Sequence, residues 1–332
     1  MKPPTPGPAR HGEGPRPELH AVSSAIVVRD LRRVYGDAEV VRGVSLDIRE
    51  GEIFGLLGPN AAGKTTLLSM ISTRIRPTSG DAWVFGKHIV HDINAVRRLL
   101  NVAPQEEALY PSLTARENLK FFDDLYGVPR AERRRRVAEA LEAVGLAARK
   151  DDRVSTYSGG MRRRLNLGCT LVSGPKLVML DEPTVAVDPQ SRAHIFDAVR
   201  ALRAQGVTIV YTTHYLEEAE DLCDRIAIMD EGRVVACGTL PELLALSHAT
   251  EVIDLRLLAA PDTVGPLEAV EGVEQVEVAG SEVRLFTRRA QHALPLVYRA
   301  LARMGHGVVR TRVTPVTLDD VFLQLTGKGL RD

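Results

Sequence analysis

The chain has 332 residues, 44% of them hydrophobic and 26% charged, with 43 basic residues balanced by 43 acidic ones. That is enough sequence for one large domain and one small one around a substantial core, and a net charge of zero gives no bulk attraction to nucleic acid or to an anionic membrane. Three widely spaced cysteines without a CxxC pair argue against a disulfide framework or a zinc site and fit a reducing compartment.

Residues 1–23 are rich in Pro, Gly, Arg and His and read as a disordered tail, without the apolar stretch of a signal peptide. No apolar run reaches the roughly 18 residues that a spanning helix needs, so the expectation is a chain that stays inside the cell and forms no pore by itself. Ile26–Arg29 and Val40–Ile48 combine β-branched runs with partial alternation, as in an antiparallel sheet. Ile53–Leu57 is a continuous apolar run, and it leads straight into Gly58-Pro59-Asn60-Ala61-Ala62-Gly63-Lys64-Thr65-Thr66, with a helix expected over Lys64–Ser72. This is the G-x-x-x-x-G-K-[ST] pattern in the strand–loop–helix setting that gives it meaning. Backbone N–H groups of such a loop and of the helix N-terminus hold phosphate oxygens. Lys64 is placed to reach β- and γ-phosphates, and the Thr65 hydroxyl to ligate Mg²⁺.

Residues 92–172 read mostly helical, punctuated by Pro111, Gly127-Val128-Pro129 and Gly145. Arg133–Arg136 fall on a helix whose apolar face is Val137, Leu141 and Val144, and read as a solvated, ion-paired face. Strand patterns resume at Leu177–Leu180, Val207–Tyr211, Arg225–Met229 and Arg233–Ala236. The first of these ends in Asp181-Glu182, so a buried strand delivers carboxylates at its C-terminal edge, where ligands bind in α/β sheets. Asp181 suits the Mg²⁺ shell, directly or through water, and Glu182 is the natural general base for an attacking water. A domain boundary falls near residue 246. Beyond it, strands at Glu251–Leu258, Val273–Val278, Glu282–Thr287 and Gly307–Val313, with a weak helix after the first and Ala290–Arg303 before the last, give a βαββαβ order. A final helix over Leu318–Leu325 is capped by Thr317, with Asp319 and Asp320 in its first turn.

Tyr157-Ser158-Gly159-Gly160-Met161 resembles the signature motif of ATP-binding cassette (ABC) proteins, usually LSGGQ. The order of P-loop, signature, Asp-Glu strand and histidine is that family's order, and the resemblance covers about residues 25–240. It implies an α/β fold: a P-loop NTPase cassette with a RecA-like core, an antiparallel β subdomain and a helical subdomain, over residues 24–246, followed by a small α+β C-terminal domain over 247–332. It implies that His214 is the switch histidine at the γ-phosphate. Gln105, in Val102-Ala-Pro-Gln, resembles the glutamine linking the metal and water site to the helical subdomain. Tyr35 resembles the aromatic that stacks on adenine, and Val187-Asp188-Pro189 the loop that crosses the dimer interface. Alone, these three side chains have plain alternatives: a half-buried aromatic, a solvated turn residue and a strand-end hydrogen bonder. Their position relative to the P-loop favours the functional reading. Ser158, Gly159 and Gly160 open a helix, an anion site by its own geometry, and in the family they face the ATP bound by the partner subunit. The family usually has glycine where Ala61 and Ala186 stand, so any need for a left-handed backbone there would cost roughly 1 kcal/mol.

Leu113–Leu119, Tyr157–Leu165 and Val321–Gly327 further resemble ATPase subunits of daunorubicin-resistance-type, ABC-2 drug exporters. That resemblance implies ATP and Mg²⁺ as ligands, a cassette homodimer, a permease on a separate chain, no nucleic acid as partner, and a place on the cytoplasmic face of the membrane. Two other readings stay open. One is a soluble ABC-type ATPase acting on ribosomes or DNA, against which stand the single cassette and the lack of room for a long coiled coil. The other is a nucleotide-dependent regulator with little turnover, which Ala61 and Ala186 encourage.

Overall fold

A computed structural model describes residues 23–327; the tail read over residues 1–23 lies outside them apart from Ser23. The chain opens with a hairpin, β1 (Ser24–Tyr35) and β2 (Ala38–Arg49), then the strand β3 (Ile53–Leu57) and helix α1 (Lys64–Ile71). β4 (Ser79–Val84) and β5 (Lys87–His88) return to the hairpin and complete an antiparallel sheet ordered β2-β1-β4-β5. α2 (Ile93–Leu99) and β6 (Leu100–Ala103) lead into a helical segment of α3 (Ala115–Leu125), α4 (Arg130–Ala143) and α5 (Gly159–Leu171). β7 (Leu177–Asp181), α6 (Pro189–Ala204), β8 (Thr208–Thr213), α7 (Leu216–Leu222), β9 (Arg225–Asp230) and β10 (Arg233–Gly238) follow. They finish a six-stranded sheet ordered β10-β9-β3-β8-β7-β6, parallel except where β10 pairs with β9.

Every residue of β3, β7 and β8 is buried, which is why these strands show no apolar–polar alternation. The strand period of two still divides them. Leu177 and Met179 pack with α1 and the antiparallel sheet, whereas Val178 and Leu180 pack under α3 to α6. The helical segment is fixed by a capping box at Thr114 and Glu117 and by Asn118, whose side chain bonds both Tyr110 and Thr114. On α4, Val137, Leu141 and the following Val144 are buried, and Arg133, Arg135 and Arg136 pair with Asp123, Asp124, Glu132 and Glu139.

One element departs from the helical reading of residues 92–172: Leu100–Ala103 is a strand, β6, at the edge of the central sheet. Its four residues carry a polar Asn101, so neither a run nor a period announces it. Asn101 is buried and donates to Thr170 O (2.7 Å) and Ser173 Oγ (2.8 Å), which docks the strand on the end of α5.

After α8 (Leu240–Leu244) come β11 (Glu251–Leu257), α9 (Gly265–Glu268), β12 (Val273–Ala279), β13 (Glu282–Thr287), α10 (Ala290–Arg303), β14 (Val308–Pro315) and α11 (Leu318–Thr326). This is the expected βαββαβ sequence of elements. The sheet order is β12-β13-β11-β14, antiparallel throughout, with α9 and α10 over one face. α11 does not pack there. With Val252 and Phe286 it joins Leu57, Ala219, Ile226 and Ile228 in a shared apolar cluster, so the last helix ties the small sheet to the large one. Among the described residues, no helix is long and apolar enough to cross a membrane.

Candidate nucleotide site

β3 ends at Leu57, and the chain turns through Gly58–Gly63 before α1 begins at Lys64. The turn needs left-handed backbone at Ala61 (φ 64°) and Gly63 (φ 98°). A side chain at Gly63 is also excluded by space, since its Cβ would lie 2.8 Å from Val40 O. Ala61 thus holds the left-handed conformation that favours glycine. The resulting cleft, about 390 Å³, is walled by Val40, residues 60–66, Gln105 and Glu182. The amide end of α1 and the loop N–H groups make it an anion cradle. Lys64 lies buried within it, Nζ donating to Gly58 O (2.6 Å) and Pro59 O (3.0 Å). Burial holds its ammonium below the usual lysine pKa, with the Glu182 carboxylate acting in the opposite sense.

The carboxylates arrive from β7, as the apolar run ending in Asp-Glu predicts. Asp181 Oδ1 accepts from Thr65 Oγ1 (3.3 Å) and from Thr212 Oγ1 (2.8 Å). Glu182 is buried and turns out of the strand with φ 47°. Its Oε1 lies 3.4 Å from Lys64 Nζ and 3.5 Å from His214 Nδ1, and its Oε2 accepts from Gln105 Nε2 at 3.4 Å. His214 Nδ1 is buried and makes no hydrogen bond. Three side chains from three separate segments thus converge on the Glu182 carboxylate.

Ser158, Gly159 and Gly160 do not line this cleft. Ser158 caps α5, its Oγ accepting from Met161 N (3.2 Å), and Ser158 and Gly159 are exposed. Gly160 instead faces inward, where a Cβ would sit 2.6 Å from Asp188 Oδ2 and as close to Ser191 Cβ. Asp188 caps α6 through Ser191 N (2.9 Å), so the signature packs against the residues of the expected interface loop. Ala186, in that loop, is also left-handed (φ 58°). Tyr35 stands outside the cleft lining at 44% exposure, with the Arg33 guanidinium 4.3 Å over its ring.

Two residues escaped the sequence. Thr212, on β8 opposite Asp181, holds the Asp181 carboxylate and accepts the Glu182 N–H at 2.9 Å. Only the β7–β8 register reveals it. Arg163 looks like one of three equivalent arginines, yet it is buried while Arg162 pairs with Glu107 and Arg164 bonds Val144 and Gly145 carbonyls.

Known proteins of the same construction supply the identity. The ABC transporter family matches residues 41–185. The linearmycin resistance ATP-binding protein LnrL of Bacillus subtilis (strain 168) is 39% identical over 91% of this chain and 98% of its own length. The daunorubicin/doxorubicin resistance ATP-binding protein DrrA of Streptomyces peucetius is 38% identical over 93% of this chain and 94% of its own. A solved dimeric ATP-binding cassette, in a post-hydrolysis state with ADP and Pi, superposes with a TM-score of 0.59 at 27% identity, covering 65% of this chain and 98% of that one. With the P-loop, the Asp-Glu strand and the signature helix standing as they do, this chain belongs to the ABC transporter family, as an ATP-binding subunit that hydrolyses ATP.

Proposed function

We propose that the chain is the motor of an exporter of drugs or other hydrophobic compounds, working as a head-to-tail dimer beneath a permease on a separate chain. Residues 24–246 would form the motor and residues 247–332 an accessory domain. Relatives matched over nine tenths of the chain include resistance ATP-binding proteins and Nod factor export ATP-binding proteins, which does not favour a ribosome- or DNA-directed ATPase or a mere regulator. The chain would sit at the cytoplasmic face of the membrane, held there by the permease.

The observation that carries the mechanism is the convergence of Lys64, Gln105 and His214 on Glu182 in a cleft that Ser158–Gly160 do not reach. In this reading the P-loop, residues 58–66, grips the phosphates, with Tyr35 stacking on adenine. Glu182 takes the proton of the attacking water, His214 steadies the γ-phosphate, and Gln105 orients the water. The exposed signature supplies the second wall of the partner's site. Mg²⁺ fits the donors present. Thr65 Oγ1 and Asp181 Oδ1 are hard oxygens side by side, with Gln105 nearby. No group of three or more His, Cys, Asp or Glu among the described residues could hold a metal alone. That suits an ion which takes its remaining oxygens from phosphate and water. Bound there, it would neutralise charge on the phosphate oxygens.

The test is size-exclusion chromatography with Mg·ATP, alongside nucleotide titrations. Glu182→Gln should bind ATP, lose turnover by about 100- to 10,000-fold and accumulate as a dimer. Adding Ser158→Arg should abolish that dimer while each monomer still binds ATP. A Ser158→Arg monomer unable to bind ATP would place the signature in its own chain's site and refute the shared-site mechanism.

A further inference from the structure

Arg163 lies on α5, one turn past the signature. Its five N–H groups meet five main-chain carbonyls: Nε donates to Pro183 O (2.8 Å), Nη1 to Pro104 O (3.3 Å) and Gln105 O, and Nη2 to Asp181 O (3.4 Å) and Glu182 O (2.5 Å). A guanidinium has five donors in a fixed planar fork and no acceptor, so its capacity is fully used. None of these acceptors is a carboxylate. Burying a cation against carbonyl dipoles alone is an expensive way to fill space, and an apolar side chain would serve packing better. Burial accordingly lowers the guanidinium pKa, with the charges of Glu107 and Asp181 opposing the shift.

The acceptors belong to the two segments that carry the chemistry, Pro104-Gln105 and Asp181-Glu182-Pro183. The same helix also holds Pro104 and the residues just after the first segment. Asn166 donates to Pro104 O (3.4 Å) and accepts from Ala108 N (3.3 Å), and Arg162 Nε donates to Glu107 Oε2 (3.0 Å). The helix begins at Ser158–Gly160, about 7.5 Å along its axis from Arg163 at 1.5 Å per residue.

We propose that Arg163 is a positioning residue that couples seating of the signature helix on the partner's nucleotide to placement of Gln105 and Glu182 in its own chain's site. The proposal rests on the shared-site reading above. α5 is rigid over this span, so a shift imposed at Ser158 is felt at Arg163. There one planar group holds both backbones, and the base and the water-orienting amide move as a unit. Lysine would keep the charge but has only three donors on a single nitrogen, too few to span both segments.

The experiment compares wild type, Arg163→Lys, Glu182→Gln and Glu182→Gln/Arg163→Lys by steady-state ATP hydrolysis, thermal unfolding and size-exclusion with Mg·ATP. Arg163→Lys should lower kcat by about 10- to 100-fold, the scale of an ångström-sized misplacement. Its KM for ATP should stay within about twofold and its Tm within a few degrees, because the P-loop is untouched. The double variant should dimerise as well as Glu182→Gln does. An unchanged kcat overturns the proposal. So does a joint fall of kcat, ATP affinity and Tm, which would reduce Arg163 to structural support. Loss of the dimer in the double variant alone would assign Arg163 to closure instead. If Glu182→Gln itself fails to dimerise, the shared-site reading falls and takes the coupling with it, while the split between kcat and KM still reports on the placement of Glu182. Should Arg163→Lys not fold, Arg163→Gln is read in the same way.

Discussion

Ala61 and Ala186 both hold left-handed backbone, at φ 64° and 58°, where a Cβ meets the neighbouring carbonyl oxygen at a cost of about 1–2 kcal/mol. Neither is compensated by burial, since both side chains are exposed. Ala61 lies in the wall of the cleft, so relief of its strain should be felt by the nucleotide. Ala61→Gly is expected to tighten ATP binding by up to about tenfold, equivalent to about 1.4 kcal/mol, measured by titration calorimetry. An unchanged Kd would show that the free and bound loops carry the strain equally. The strain was legible in the sequence only through the resemblance to a family that usually has glycine where Ala61 and Ala186 stand. Thr212 was not legible: a threonine ending a strand acquires meaning only when the register sets it beside Asp181. Arg163 was hidden differently, since composition cannot distinguish the one inward-facing arginine in a run of three.

At the scale of elements, apolar runs gave away β3 and β7, β-branched residues gave away β8, and the capping residues gave away α11. β6 stayed hidden because a four-residue edge strand with a buried asparagine has no period to read. Nor does an element's sequence say which sheet it will serve. α11 follows the small sheet in the chain, yet Val321 and Phe322 are buried in a cluster that reaches Leu57, the residue preceding the P-loop. Deleting residues 250–332 would therefore strip apolar cover from the large sheet. A milder probe is Phe322→Ala, which should cost about 3–5 kcal/mol. At roughly 2–4 °C per kcal/mol for a chain of this size, calorimetry should show a Tm lower by about 6–20 °C. Mg·ATP should raise the Tm of the variant as much as it raises that of wild type, because no ligand-facing group has changed. A variant of normal Tm would mean that α11 contributes nothing to the joint between the sheets.

For the whole molecule, the decisive surface is one the catalytic cleft does not use. Tyr110, Phe121, Leu125 and Tyr126 are 45%, 41%, 65% and 37% exposed on and beside α3. Tyr110 and Phe121 stack edge to face at 4.8 Å between centroids. Phe121 and Leu125 lie four residues apart on one helical face, and a contiguous apolar patch of this kind marks an interaction site rather than ordinary surface. A cleft lined by Arg74, Arg97 and Arg98 shares Leu125 and Tyr126 with the patch, giving it a basic rim. In the proposed reading, this is the face that docks the chain on its separate permease. Co-expressed with its permease, the wild-type chain should therefore sediment with membranes and resist a high-salt wash, since apolar contacts are not screened. Phe121→Asp/Leu125→Asp should stay in the soluble fraction. Its Tm and ATP affinity should remain those of wild type, because both side chains are already exposed and far in sequence from the P-loop. Sedimentation of the double variant with the permease would move the docking face elsewhere. Salt-resistant sedimentation of the wild-type chain without any permease would mean that the chain holds the membrane by itself.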